Sequence, residues 1–356
     1  MVFYLFLIIV FVFIYYIAEK SGKLFFVFIA MIPPILIEGL RDEFIGRDMN
    51  VYGSAWFYNM NTKVSIREMI KECSTPEYGY HMLIYFCKCI SKDIHLYMSV
   101  CALIKTLMVY LTAWRMRYYL NSIVFILAYY LFFYVIGFSL MRQSIALAIC
   151  ALSITYLLNN NLIKYLLLVL IAYFFHNSAI FMLLLLPFIY IGNFRFRYLV
   201  MIISALIIYT SISSLFSLLT GSYLFKEGIV ERYMNSGVKT QKTMIIISIA
   251  FFVYGLYLMI MKNKSKLLYI FVTSSVFSLV FVLLANYIEV AFRVAFYLVI
   301  ISMIVALCFI QRDYQYKFQL QVTYVFLFFL HFYVAGTHGF SDALNYSSKI
   351  LGIILR

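Results

Sequence analysis

Apolar residues in this chain gather into runs of roughly 15–22, about the length a helix needs to cross a bilayer. Twelve such runs are read near residues 1–17, 24–37, 95–114, 121–138, 143–158, 161–175, 177–191, 198–219, 243–261, 267–286, 289–310 and 318–335. Pro33-Pro34, late in the second run, lacks backbone donors and predicts a kink or an end to that helix. The one long interruption is a polar segment at 38–93. Inside it, residues 80–91 are apolar, but the run is only about eleven residues long and carries Lys88, so an interfacial or re-entrant helix is expected there. Ser74-Thr75-Pro76-Glu77 ahead of it reads as a capping box with proline early in the helix, which gives Glu77 a structural task at a helix start. The pattern divides the chain into two spans over 1–37, a polar segment over 38–93, a helical bundle over 94–335 with a loop at 220–242, and a tail over 336–356.

Composition turns this pattern into a fold class. Hydrophobic residues make up 65% of the chain and charged residues only 12%, against roughly 25% charged in globular proteins. A water-soluble fold of this length cannot hide that much apolar surface, so lipid must cover it. The expectation is an all-α polytopic membrane protein of about twelve transmembrane helices. The first seventeen residues lack a basic leader and a small-x-small cleavage site, so they read as an uncleaved span.

The net charge of +14 does not mark a nucleic-acid binder, because the basic residues are scattered between apolar runs. Alternate connections carry Lys20, Lys23, Arg115, Arg117, Lys164, Arg195, Arg197, Lys262, Lys264, Lys266, Arg312 and Lys317, against only Glu19 and Asp313. That bias places them in the cytoplasm, and it places the 38–93 segment, the 220–242 loop and both termini outside. Six cysteines show no metal pattern. Cys73, Cys87 and Cys89, in or beside the polar segment, allow one bridge or free thiols.

Candidate chemistry collects at the outer ends. The 38–93 segment holds eight of the fourteen acidic residues (Glu38, Asp42, Glu43, Asp48, Glu68, Glu72, Glu77 and Asp93) and seven of the twenty-eight basic ones. Surface ion pairs in a solvated loop are the plain account; a binding site for a phosphorylated, sugar-bearing lipid is the other. Arg142 opens the fifth span, where it can snorkel to the interface or offer its rigid fork of donors to a diphosphate. His176 lies at the turn between two short spans, as a polar tip or as a catalyst. Arg293 lies about four residues inside its span, roughly 6 Å deep at 1.5 Å per residue. An intramembrane arginine normally faces a cavity or a partner, and Glu289 is near. Lys105, deeper still, invites a partner across helices.

These four places together resemble the EpsG family of bacterial exopolysaccharide polymerases, within the broader Wzy-like group. A G-x-R-x-x-x-x-G-x-D-x-x-x-Y motif is matched by Gly39, Arg41, Gly46, Asp48 and Tyr52. An E-x-G-[YF] is matched by Glu77, Gly79 and Tyr80, and a helix start by Met141, Arg142, Gln143, Ile145 and Ala146. An F-H-x-S-A is matched by Phe175, His176, Ser178 and Ala179, and a late R-x-x-x-Y by Arg293 and Tyr297. The motifs span about residues 35–300, and the last sixty residues match none of them.

The resemblance implies a GT-C-like glycosyltransferase of the bacterial cytoplasmic membrane, with its active site on the outer face. It implies transfer of a growing glycan from undecaprenyl diphosphate to the non-reducing end of a lipid-linked repeat unit, without a cofactor or a metal. A departing diphosphate needs cations and an acceptor hydroxyl needs a base. Arg41, Arg47, Arg142 and Arg293 suit the first task; Asp48, His176 or Glu77 suits the second. Tyr52, Tyr80 and Gln143 join the substrate-binding set. A flippase and a chain-length regulator are the implied protein partners. An O-antigen ligase shares the donor and is not separated by any residue. A transporter is the rival from another class, but the two halves show no self-similarity.

Overall fold

The computed structural model describes residues 1–73, 75, 77–191, 194–220, 242–261, 265–313, 315–338 and 341–354. The expected loop at 220–242 therefore lies, over 221–241, outside the described residues. The rest is helical apart from short turns and one two-stranded hairpin. This is an all-α polytopic membrane protein. Among the described residues, seven helices are long and apolar enough to cross a bilayer: Val2–Lys20, Ile94–Met116, Met141–Leu158, Lys242–Met261, Lys266–Leu284, Glu289–Arg312 and Lys317–Thr337. Five further apolar stretches are helical but shorter: Leu24–Gly39, Ser122–Tyr134, Leu162–Phe175, Asn177–Tyr190 and Tyr198–Thr210.

The chain divides into two compact units, Met1–Ala179 with Leu307–Arg356, and Ile180–Ala306. Both boundaries fall within the bundle expected over 94–335. In the first unit, α1 (Val2–Lys20), α2 (Leu24–Ala30) and α3 (Ile32–Gly39) precede the polar segment. The second run is broken as expected, just ahead of the double proline. The break comes at Met31, and the prolines occupy the first turn of α3, where a missing N–H costs nothing. The polar segment folds into a π-helical turn at Met49–Gly53 that runs on into α4 (Ser54–Asn59), then α5 (Ile66–Glu72) and α6 (Tyr78–Ile90). α7 (Ile94–Met116), α8 (Ser122–Tyr129) and α9 (Ile136–Ser139) follow. α10 (Met141–Leu158) is buried along most of its length and packs on α7 and on α11 (Leu162–Phe175).

Ser74 and Pro76 of the capping box expected over 74–77 lie outside the described residues, and a capping box forms one helix earlier. Ser65 and Glu68 exchange side-chain and backbone bonds at the start of α5. Glu77 is the residue before α6, and its side chain caps nothing there. Asp93 accepts from the His95 amide at the start of α7, at 2.9 Å. Cys73, Cys87 and Cys89, like the other three cysteines, are free thiols.

The second unit comprises α12 (Leu185–Tyr190), α13 (Phe194–Thr220), α14 (Lys242–Met261), α15 (Lys266–Leu284) and most of α16 (Glu289–Arg312). Ser248 and Ser278 join α14 to α15 at 2.9 Å, and Ser302 donates to Ser274 at 2.8 Å, joining α16 to α15. Hydroxyl pairs of this kind hold helices together where lipid supplies no hydrophobic driving force. α17 (Lys317–His338) and α18 (Ser341–Leu344) belong to the first unit, with the hairpin of β1 (Ser347–Ser348) and β2 (Ile353–Ile354).

Candidate functional site

Two glycines set where the polar segment meets the bundle. Gly46 has φ +95°, and a Cβ there would stand 2.1 Å from the Phe138 carbonyl oxygen on α9. Any other residue would strain the backbone and drive the turn off α9, just ahead of Arg142. Gly79 lets the first turn of α6 approach the end of α11, where a Cβ would meet the Phe174 carbonyl at 3.0 Å. That approach brings Glu77 beside His176.

Arg142, the second residue of α10, is the centre of what results. A cation in the first turn of a helix opposes the positive end of the helix dipole, so a carboxylate must offset it. Glu77 does so: its Oε2 accepts directly from Arg142 Nη1. Arg142 Nε and Nη2 both donate to the Tyr52 hydroxyl, at 3.2 and 2.7 Å. The guanidinium also stands over the Tyr52 ring at 4.4 Å and the Trp56 ring at 5.3 Å, contacts worth about 0.5–2 kcal/mol each. Tyr52 and Trp56 are one helical turn apart, which aims both rings at the same charge.

Two more groups extend the chain of contacts. The Tyr52 hydroxyl, having accepted twice, keeps its proton for the Asp48 carboxylate, to which it is hydrogen-bonded. Burial first, and then the Asp48 charge, hold the Tyr52 hydroxyl well above the usual tyrosine range. At the other end, His176 Nε2 lies 4.0 Å from the second Glu77 oxygen. His176, Glu77, Arg142, Tyr52 and Asp48, drawn from four separated motifs, thus form one contiguous series. All five lie in the first unit.

The remaining expected residues sit elsewhere. Arg41 is fully buried and donates to the carbonyls of Glu38 and, at 3.2 Å, of Ile45, with Met141 sulfur at 3.4 Å. Its donors hold the turn together. Arg47 is exposed, whereas the adjacent Asp48 is buried. Tyr80 is the exception: fully buried, it meets Trp56 ring to ring at 6.2 Å and lies under the Arg142 guanidinium at 6.0 Å. Gln143 is buried one residue past Arg142. Arg293 lies in the second unit and donates to Glu289, one turn away, at 2.7 Å.

Sequence reading expected a partner for Lys105 across helices and missed two contributors, Trp56 and His81. Lys105 meets Glu38 at 2.5 Å, both side chains almost wholly buried, tying α7 to α3. Trp56 is packed between the rings of Tyr52 and His81, each at 4.6 Å. Its signal was the four-residue spacing from Tyr52. His81 follows the matched Tyr80 directly, and its Nε2 meets Thr75 Oγ1 at 3.0 Å. Burial, and then the nearby Arg142 charge, push the His81 pKa down to about 4.

A sequence model described as the EpsG family matches residues 23–348. The match reaches into the tail, beyond the span over which the motifs were expected. No curated protein and no solved structure matches the chain.

The lowered pKa of His81 makes stability depend on pH. An unfolded histidine takes up its proton near pH 6.5 and the folded one only near 4, so the unfolded state binds more protons between those values. Stability should therefore fall as pH drops from 6.5 towards 4, and His81 should contribute nothing to the dependence above 6.5. Thermal midpoints of purified protein at pH 7 and pH 5 should differ less in His81→Gln than in the parent. An equal difference in both would rule His81 out as the source.

Proposed function

The chain belongs to the EpsG family, and from that premise we propose that it is a polyprenyl-diphosphate-linked glycosyltransferase that polymerises exopolysaccharide repeat units. The donor is a growing glycan on undecaprenyl diphosphate, and the acceptor is the non-reducing end of the next lipid-linked unit. The observation that carries this reading is the commitment of Arg142. Of the five N–H donors of a guanidinium, three are used by Glu77 and Tyr52. Among the described residues the other two meet no partner, on a side chain that keeps 12% of its surface exposed. A fixed guanidinium with donors on two nitrogens still to offer suits a diphosphate.

In this reading the acceptor hydroxyl gives its proton to Asp48 as its oxygen attacks the anomeric carbon. The bond from that carbon to the diphosphate oxygen breaks, and undecaprenyl diphosphate departs with the negative charge. Arg142 stabilises that charge where it develops. Glu77 orients Arg142 and is thereby occupied, which leaves Asp48 as the first choice of base and His176 as the second. Arg41 holds the turn that carries Asp48, and exposed Arg47 supplies a further cation near it. The site faces outside, on the warrant of the basic bias of the alternate connections.

Two outcomes follow. Asp48→Asn preserves size, so the protein should reach the membrane, make no polymer and let lipid-linked single repeats accumulate. Normal chain length from Asp48→Asn, with loss from His176→Ala, would transfer the role of base to His176. In a chain stripped of native thiols, an impermeant reagent applied to intact cells should label a cysteine at position 61 and spare one at 118. The reverse pattern would overturn the orientation.

A further inference from the structure

The carboxyl-terminal segment has no place in the chemistry above, yet it is bonded to the turn that opens the Asp48 motif. Asp42 receives the Ser347 hydroxyl at 2.6 Å and the Lys349 amide at 3.0 Å on its two carboxylate oxygens. The Asp42 amide donates in return to the Ser347 carbonyl at 2.8 Å. The Ser348 hydroxyl donates to the Leu40 carbonyl, and the Tyr346 hydroxyl to the Ile37 carbonyl at 3.0 Å. Ser348 and Tyr346 are fully buried. The near side of the segment is anchored in turn, because the Tyr4 hydroxyl donates to the Ala343 carbonyl.

These bonds are made to backbone carbonyls, to one backbone amide and to one carboxylate, over residues 37–42. They are therefore specific to the path of the turn and not merely to its apolar surface. From Asp42 the constraint runs on through short steps. The Asp42 carbonyl accepts from the Ile45 amide at 3.1 Å, and the Ile45 carbonyl accepts from Arg41. Gly46 then touches α9, and Asp48 is two residues further on. Asp48 in turn reaches Arg142 through Tyr52.

We propose that residues 343–349 are a strap that positions the 37–48 turn for the reaction, with Asp42 and Ser347 as its positioning residues. Neither touches the series from His176 to Asp48. They act by fixing where the turn places Asp48 and Tyr52. The functional half of this inference rests on the polymerase reading; the structural half does not.

The sequence contains two tryptophans, Trp56 and Trp114, so Trp114→Phe leaves Trp56, beside Tyr52, as the only indole emitter. In that full-length background, Ser347→Ala and Asp42→Ala should raise acrylamide quenching of Trp56 at temperatures far below the thermal midpoint. Ser347→Thr keeps the hydroxyl and should quench like the parent. In polymerisation from lipid-linked repeats, kcat should fall about tenfold in Asp42→Ala, the scale expected on losing hydrogen bonds to a charged group, while KM stays near the parent value. Ser347→Thr should retain kcat. Unchanged quenching in both alanine variants, or failure of Ser347→Thr to match the parent, would overturn the strap. Altered quenching with unchanged kcat would overturn its part in the reaction. If Asp42→Ala does not accumulate, the Ser347→Ala and Ser347→Thr pair decides. If the parent makes no polymer, the polymerase reading fails while the quenching still decides the strap.

Discussion

The pairing of Arg142 with Glu77 is the constraint on which the rest of the first unit depends. A guanidinium buried at the amino end of a membrane helix is unfavourable twice over, through desolvation and through the helix dipole. The offsetting carboxylate has to come from another element, and it comes from the residue before α6. Loss of either partner would leave a mostly buried charge uncompensated, which typically costs about 3–5 kcal/mol. The pair therefore dictates that the polar segment be folded down onto α10, and Tyr52, Trp56 and His176 are placed as a consequence.

A second buried pair, Lys105 with Glu38, sets the base from which that segment departs. Arg41 lies beside it, over the Phe138 ring at 4.7 Å, with donors on the carbonyls of Glu38 and Ile45 and on the Met141 sulfur. Two cations and one carboxylate in the protein interior are tolerable because each nitrogen finds an oxygen, a sulfur or a ring face. The two clusters divide the work. Glu38, Lys105 and Arg41 shape the turn, whereas Arg142 keeps part of its side chain exposed beside Glu77 and Tyr52.

The helical bundle was legible because runs of apolar residues at bilayer length permit little else. The break of the second run falls two residues ahead of the prolines because proline is compatible with a first turn, so the helix could stop at Met31 and start again. Of the two tasks read for Glu77, the helix cap is the one it does not perform. Ser74-Thr75-Pro76-Glu77 satisfies the local pattern of a cap, but a carboxylate facing a buried guanidinium gains more from the charge than from a backbone amide. Arg41 and Arg142 look alike as letters in motifs. Only the packing of Gly46 on α9 separates the one that is enclosed from the one that is reachable. The acidic residues of the polar segment also sort by partner: Glu68 and Asp93 cap helices, Glu43 accepts from Tyr58 at 2.9 Å, and Asp42 holds the tail. Asp48 and Glu77 remain on the Arg142 side. The tail was illegible because its bonds join residues some 300 apart, most of them with a backbone atom at one end that carries no sequence signal.

The central claim is that Arg142 is a diphosphate-binding guanidinium held ready by Glu77 and Tyr52. It is tested most directly by binding rather than turnover. Purified protein in lipid nanodiscs would be titrated with undecaprenyl diphosphate and, separately, with undecaprenyl monophosphate. The parent should prefer the diphosphate, and Arg142→Lys, which keeps the charge but not the fork, should lose that preference, with diphosphate affinity falling by about tenfold or more. Equal affinity of the parent for the two lipids, or an unchanged preference in Arg142→Lys, would contradict the account.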